Sequence, residues 1–559
     1  MSQGLSGAAA RGTLWLGLVN VLSKGAQMLV ILALGRFLDA RELGTVTISV
    51  TLINLGQILQ LMGVYDVISR TRRDPIRFAG TVAGLSVGIG TLLALVLLAL
   101  ADPIAAAVGT PAAAPLLRAA GLGLPFTAYA GVQLAYLHRE LAFRRRLVPD
   151  AGSALLGAAV TVVAAAHGAG VWSLIAGLLT TAVGAPLLGL AVGVRIPLRF
   201  NRSDAAETLR WVRVTGPGAV IGVLLLQVDY IVVNRVLGEA QNGIYSFAYR
   251  IAFVPYITVA VVIGAVAFPV YARLADTGTG TGIRGMSPSV AGPAVAAAFA
   301  RFWHVLVAVT GGLYVLLFVL ADRIVVIDPR WAASVPILRV LCGYGLLLGL
   351  VLACHEAVRA IGRPRVYLRV QALHLVLLTG AAIALVRPAG SIGVAWAQVS
   401  AAATALAVSS VVLVRAGVVT RAVVRGIRGP LLAAAAVAVG DRVADVAGLL
   451  PPYGSLPGVI VLGAVLTAAY VAVLALLDRG AVGDLRAALR RDAAPRPEPA
   501  LTRSVDPRTA DPDPRTADPD PRTADLDARS GDPDAAGSPE PVDRTGRSVD
   551  TASATGSVD

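Results

Sequence analysis

Apolar residues fill the chain in long runs from Gly12 to Leu477. A helix rises 1.5 Å per residue, so about 20 apolar residues cross about 30 Å of hydrocarbon. The runs predict spans near residues 12–34, 43–63, 79–101, 113–137, 148–167, 170–194, 212–234, 243–271, 298–321, 333–357, 366–386, 390–414, 430–448 and 456–477, about fourteen in all. Arginines collect in every second gap. The gap after the second span holds Arg70, Arg72, Arg73 and Arg77, and that after the fourth holds Arg139, Arg144, Arg145 and Arg146. The odd-numbered gaps hold none to two. Arginine-rich loops stay on the cytoplasmic side. The pattern predicts an all-α integral membrane protein with both termini cytoplasmic. So many spans, with so little chain outside them, point to transport.

Composition sharpens this reading. Hydrophobic residues make up 56% of the chain and charged residues 15%, against about 25% charged in soluble proteins. From Asp492 to Asp559 there are 15 acidic and 8 basic residues, which leaves +21 on the rest of a chain whose total is +14. In a soluble protein that excess would suggest nucleic acid. Beside apolar spans, topology and anionic lipid account for it, and no nucleic-acid partner is expected. Lys24 is the single lysine. Cys342 and Cys354 share one span, about 18 Å apart along a helix, too far for a disulfide. No metal or redox motif is present, so neither metal nor cofactor is expected. Ala8-Ala9-Ala10 precedes the first apolar run, where a cleavage site would follow it, so the first span reads as a retained helix.

Two repeats organise the chain. In the tail, Asp506-Pro507-Arg508-Thr509-Ala510-Asp511-Pro512 recurs from Asp513 and nearly again from Asp520. With no apolar face it predicts a disordered segment over 492–559. In the membrane part, Arg36, Leu38 and Gly44 match Arg235, Leu237 and Gly243 at a constant offset of 199. Six spans lie between, so the copies share orientation and imply two six-helix bundles related by a pseudo-two-fold axis along the membrane normal. The expected domains are a bundle over 1–194, a cytoplasmic linker over 195–211, a second bundle over 212–414, and two additional helices over 430–477.

Polar residues at membrane depth are costly and usually face a cavity or a partner. Asn20, Lys24 and Gln27 stand on one face of the first span, and Thr47, Thr51, Asn54 and Gln57 on one face of the second. The seventh carries Gln227, Tyr230 and Asn234 with Asp229 alongside, and the eighth carries Tyr245, Ser246, Tyr249, Arg250 and Phe253. These are the opening helices of each half. A cavity lined by cations and tyrosines suits an anionic, sugar-bearing substrate, because a phosphate away from water needs charge compensation. The candidate cavity residues are Lys24, Arg250, Asn20, Gln27, Asn54, Gln57, Gln227, Asp229, Tyr230 and Tyr249. Each has a plainer reading: Lys24 snorkels, Arg250 ties to Asp229, and the amides bridge helices. Arg118 and Arg339, near span ends, read as snorkelling, and His304 and His374 as isolated packed residues. Gly80, Gly84 and Gly88 read as a helix-packing ridge.

Three stretches carry a family resemblance. The first is Leu34-Gly35-Arg36-Phe37-Leu38 through Gly44. The second is Val228-Asp229-Tyr230 through Asn234-Arg235-Val236-Leu237-Gly238 and Gly243 to Arg250, closing at Phe268-Pro269. The third runs from Trp331 through Pro336-Ile337-Leu338 to Ala360-Ile361-Gly362-Arg363-Pro364. Across Arg11 to Val414 the chain resembles the polysaccharide flippases of the MATE-like (MOP) superfamily. The resemblance implies a V-shaped two-bundle fold, alternating access and a positively lined cavity onto which Lys24 and Arg250 map. It implies undecaprenyl-diphosphate-linked glycan as substrate, contact with membrane lipid and with polysaccharide polymerase and ligase machinery, a monomer, and the cytoplasmic membrane of a bacterium. A lipid II flippase shares these features. A multidrug or cation exporter would place carboxylates in the first half, where spans one, three and five have none at depth. An integral-membrane glycosyltransferase would use outer-loop acids such as Asp39 and Glu42. Those loops are too short for an acceptor site, and the two acids sit where a helix N-terminus is capped. The chain is not expected to be an enzyme.

Overall fold

A computed structural model of the chain describes residues 33–61, 73–140, 142–277, 292–326, 328–447 and 456–478, with isolated positions at 22, 23, 25, 26, 30, 31, 63, 64, 67, 68, 71, 480 and 483. Residues Met1–Ala494 form one compact unit. The acidic repeat belongs to a second, Pro495–Asp559, which lies outside the described residues.

The described structure is helical. Its elements are α1 (Ala40–Leu61), α2 (Pro75–Ala107), α3 (Ala114–Gly121), α4 (Leu124–Arg139), α5 (Phe143–Ala166), α6 (Trp172–Ala191) and α7 (Arg202–Leu225). Then follow α8 (Val228–Leu237), α9 (Glu239–Ala275), α10 (Pro293–Val319), α11 (Val335–Ala360), α12 (Pro364–Arg415), α13 (Arg421–Val446) and α14 (Leu456–Leu477). Ten helices among the described residues are long and apolar enough to cross a membrane, and the pair α7–α8, bent by 42°, supplies an eleventh. The chain is a multi-pass membrane protein.

Local chemistry sets the boundaries. The Asp74 carboxylate accepts from the Ile76 and Arg77 amides, and Asn201 does the same for Ser203 and Asp204, so both helices start on side-chain caps. Asp39 and Glu42 form a reciprocal capping box on α1: Asp39 accepts from the Glu42 amide at 2.7 Å, and Glu42 from the Asp39 amide at 3.0 Å. The run expected as one span over 113–137 is divided at Leu122-Gly123 into α3 and α4. The runs over 366–386 and 390–414 appear as one 52-residue element, α12, broken at Gly390 with φ 61° and ψ −150°, a conformation open essentially to glycine alone. A methyl group on Gly393 would overlap the Leu385 carbonyl. Eight residues of straight helix would separate those positions by about 12 Å, so the chain doubles back there.

Several expected roles change. Gly80 and Gly84 do not receive a neighbouring helix: the linker backbone lies on them, with Pro197 O against Gly80 and Arg199 O against Gly84. Arg118 pairs with Asp102 and Arg339 with Asp322, so neither merely snorkels. His304 is not isolated; its Nε2 meets Asp478 at 2.8 Å.

Among the described residues, the main apolar joint between the halves lies at one end. The largest apolar cluster spans both, uniting Leu34, Leu38, Leu43 and Val46 with Tyr245, Phe247, Trp331 and Leu338. It sits beside the arginine-poor gaps. At the arginine-rich end the cores are separate: Val64, Phe78 and Val132 belong to the first half, and Tyr271, Phe299 and Val358 to the second.

The joint is built from the repeated segments. Where α1 crosses α9, a methyl on Gly44 would overlap Glu239 O, and a methyl on Gly243 would overlap Ala40 O. Thr47 Oγ1 donates to Ser246 Oγ at 3.1 Å. Ala40 and Glu239, Gly44 and Gly243, and Thr47 and Ser246 all stand 199 residues apart. Arg41 pairs with Glu239 at 2.8 Å. Asn242 Nδ2 donates to Gly44 O at 3.3 Å, and Asn234 Nδ2 donates to Val108 O and to Thr110 Oγ1. Trp331, fully buried, donates from Nε1 to Gly35 O at 2.6 Å and stacks on Phe247 at 4.1 Å.

Two outcomes follow from this joint. Trp331→Ala removes a buried ring and its hydrogen bond, at an expected cost of about 3–5 kcal/mol, read as a lower unfolding midpoint in detergent. An unchanged midpoint would show that the indole anchors nothing. Gly44→Ala and Gly243→Ala each force α1 and α9 apart, at about 1–3 kcal/mol by overpacking. Because both methyls act on one contact, the double variant should lose less than the sum of the singles; strict additivity would place the two glycines in independent contacts.

Candidate functional site

A cavity of about 470 Å³ lies between the halves, on the arginine-rich side of the Gly44–Gly243 crossing. That volume is in the range of small-molecule sites. Helical spacing decides which side chains reach it. On α1, Thr47, Thr51 and Asn54 share the facing stripe. Gln227 sits at the α7–α8 bend, and Tyr230 follows one turn later. On α9, Tyr249, Arg250 and Phe253 face inward. The Tyr230 ring meets Tyr249 edge-on at 5.3 Å, and Tyr249 stacks on Phe253 at 5.5 Å, so one wall is a continuous aromatic surface.

Arg250 is the one cation among the described lining residues, and those residues include no carboxylate. Its Nη2 donates to Thr47 Oγ1 at 3.3 Å, and its Nε is buried with no hydrogen-bond partner. A guanidinium carries five donors, and a buried one without an anion is costly. The arrangement leaves most of those donors for an anionic ligand.

Of the ten expected cavity residues, Asn54, Gln227, Tyr230, Tyr249 and Arg250 line this space. Asn20, Lys24 and Gln27 lie outside the described residues, though Ala26, Val30 and Ile31 of the same segment reach the cavity. Gln57 is half-buried one turn beyond Asn54, past the lining. Asp229 requires a correction. It is fully buried behind the cavity and accepts from Tyr245 Oη at 2.8 Å and Gln398 Nε2 at 2.9 Å. Adjacent helical residues point about 100° apart, so with Tyr230 facing the cavity Asp229 turns toward α12. Its tie is to these neutral groups rather than to Arg250. Asn234, on the same expected stripe, serves the joint between the halves.

The opposite wall went unread in the sequence. On α5 and α6, Gly157 and Thr161 face Gly177 and Thr181. A methyl on Gly157 would overlap Thr181 Oγ1, and one on Gly177 would overlap Thr161 Oγ1. Each threonine donates to the glycine carbonyl one turn back, at 2.9 and 3.0 Å. The paired Gly-x-x-x-Thr spacing was the available signal. Among the described residues no group of three His, Cys, Asp or Glu side chains is placed to hold a metal.

Comparison with known proteins gives this geometry a lineage. Residues 33–281 match the family of polysaccharide biosynthesis proteins. The chain is 24% identical over 341 residues to the lipopolysaccharide biosynthesis protein WzxC of Escherichia coli (strain K12), a match covering 60% of this chain and 66% of that protein. It is 28% identical over 261 residues to the succinoglycan biosynthesis transport protein ExoT of Rhizobium meliloti (strain 1021), covering 46% and 53%. The matches thus span less than two thirds of either relative's length. Among solved structures, the lipid II flippase MurJ in an inward closed conformation superposes with a TM-score of 0.64 at 12% identity, covering 83% of this chain and 99% of that one. An inward-facing MATE multidrug transporter of the MOP superfamily gives 0.55 at 16% identity, covering 72% and 100%. At such identities the likeness is one of fold. The likeness to known proteins is therefore twofold: residues 33–281 match the family of polysaccharide biosynthesis proteins, and the chain shares the fold of MurJ and of a MATE transporter.

Proposed function

We propose that this protein flips undecaprenyl-diphosphate-linked oligosaccharide across the bacterial cytoplasmic membrane by alternating access, for export of surface polysaccharide. The observation that carries the reading is Arg250, a guanidinium at membrane depth that lines a cavity between the halves with no carboxylate partner among the described residues. A diphosphate supplies the missing charge and accepts several of its N–H donors. The aromatic wall of Tyr230, Tyr249 and Phe253, with the amides of Asn54 and Gln227, offers a glycan both stacking surface and hydrogen bonds. The absence of a carboxylate from the described lining disfavours a cationic drug. The similar proteins WzxC and ExoT, named for lipopolysaccharide biosynthesis and for succinoglycan biosynthesis transport, support the same substrate class.

In this reading the arginine-rich gaps and both termini are cytoplasmic, the joined end is the outer seal, and two six-helix bundles (1–194 and 212–414) rock about it. Lys24 adds a second cation to the headgroup site. The polyprenyl tail stays in lipid. The protein acts as a monomer and hands its cargo to polymerase and ligase machinery, with no chemical step and no cofactor of its own.

Arg250→Ala should reach the membrane at normal levels and abolish surface glycan, while Arg250→Lys retains a fraction through its point charge. Lys24→Ala should lower glycan in the same assay. Immunoblots of membranes and of extracted surface polysaccharide read both. Wild-type glycan in the Lys24→Ala, Arg250→Ala double variant would remove the mechanism.

A further inference from the structure

The cation of the cavity and the seal of the outer end are joined by an unbroken chain of hydrogen bonds. Arg250 Nη2 donates to Thr47 Oγ1 at 3.3 Å, Thr47 Oγ1 donates to Ser246 Oγ at 3.1 Å, and Ser246 Oγ donates to Gly243 O at 3.0 Å. The donor order is consistent throughout. Each hydroxyl accepts once and spends its single proton on the next acceptor. The chain crosses between the halves twice, from α9 to α1 and back to α9. It ends on Gly243, the residue on which the Ala40 carbonyl rests. Thr47 and Ser246 are 2% and 0% exposed, so no water competes with either link. Thr47 also borders the cavity, which sets it between the ligand space and the crossing.

We infer that Thr47 and Ser246 form a latch that couples occupation of the cavity by an anionic headgroup to release of the outer seal. This rests on the reading of Arg250 as the headgroup site. With the cavity empty, Arg250 spends a donor on Thr47 and holds its hydroxyl toward Ser246, drawing α1 onto α9. A diphosphate entering the cavity recruits the guanidinium. Thr47 then loses its charged donor, and the contact between Thr47 and Ser246 loses the polarisation that strengthens it. The seal weakens when cargo is present and re-forms when cargo leaves. Thr47 is therefore a positioning residue: it acts through Arg250.

The test uses the full chain in lipid nanodiscs with a reporter at Leu43→Cys, a fully buried position in the cluster that joins the halves. Both native cysteines are buried, so maleimide labelling reads opening at the reporter. With Thr47 intact, labelling should be slow and should rise when undecaprenyl diphosphate is added. Thr47→Val keeps the shape and removes the hydroxyl. It should label about fivefold faster without lipid, the population shift one net hydrogen bond supplies, and should no longer respond to lipid. Thr47→Ser should restore both slow labelling and response, which a purely steric role for Thr47 would not produce. Ser246→Ala should reproduce Thr47→Val from the other side and serves if the valine variant does not fold. Slow, lipid-responsive labelling in Thr47→Val or in Ser246→Ala would overturn the latch. Binding of undecaprenyl diphosphate separates the two ideas: Ser246→Ala, which lies off the cavity lining, should bind it normally and Arg250→Ala should not. Normal binding by Arg250→Ala would remove the headgroup site itself.

Discussion

Hydrocarbon offers no water to hydrogen-bond a stranded polar group, so each polar side chain at membrane depth must find protein or open a space of its own. That constraint sorts the deep polar residues here into two kinds. Asp229 accepts on Oδ2 from Tyr245 and from Gln398 and lies fully buried behind the cavity. Asn234 and Asn242 are spent on backbone carbonyls where the halves meet. Arg250 has one hydrogen bond, to Thr47, and a buried Nε with no partner. What sets Arg250 apart is its place on the cavity wall with no carboxylate among the described lining residues, and that marks the cavity as a candidate site.

The same pressure shapes the joint. Apolar attraction between helices is slight in a bilayer, and close backbone approach takes its place. Gly44 and Gly243 each give up a side chain so that the carbonyl of the other helix can settle there. Around that crossing the polar ties accumulate at one end, while at the other end each half keeps its own apolar core. A structure whose polar joint lies at one end, with distinct apolar cores at the other, is fit to open where its cores are distinct.

Much of this was legible in the residue order. Bilayer-length runs and the alternating arginines gave the class of fold, and the offset of 199 picked out the two segments that meet in space. Stripes at helical spacing gave Asn54, Gln227, Tyr230, Tyr249 and Arg250. What stayed hidden depends on rotation and on reach. Asp229 and Tyr230 are adjacent in sequence yet face opposite environments, and no periodicity shows that Gln398, 169 positions away, waits for the carboxylate. The doubling back at Gly390 could be placed but not its conformation, and α3 and α4 read as one run because Leu122-Gly123 interrupts the helix without interrupting hydropathy. The Gly-x-x-x-Thr wall passed unread because its residues are small and nearly neutral, and their meaning lies in what they leave room for.

A carrier of the proposed kind needs more than a site that attracts its cargo. A ligand that binds both orientations of the carrier equally shifts nothing, however tightly it binds. A lone cation in a cavity would have that fault, since it would greet a diphosphate alike from either side. The tie from Arg250 to Thr47 breaks the equality. In the sealed form the guanidinium must surrender a hydrogen bond before it can serve the ligand fully; once α1 and α9 part, that bond is already gone. A hydrogen bond to a charged group is worth about 1.5–3 kcal/mol, so the ligand would favour the parted form by a factor of about ten to a hundred or more. With the cavity empty the same bond favours the sealed form and resets the cycle. Direction must still come from a gradient or from removal of the delivered glycan, because one internal bond biases populations and cannot by itself drive net flux.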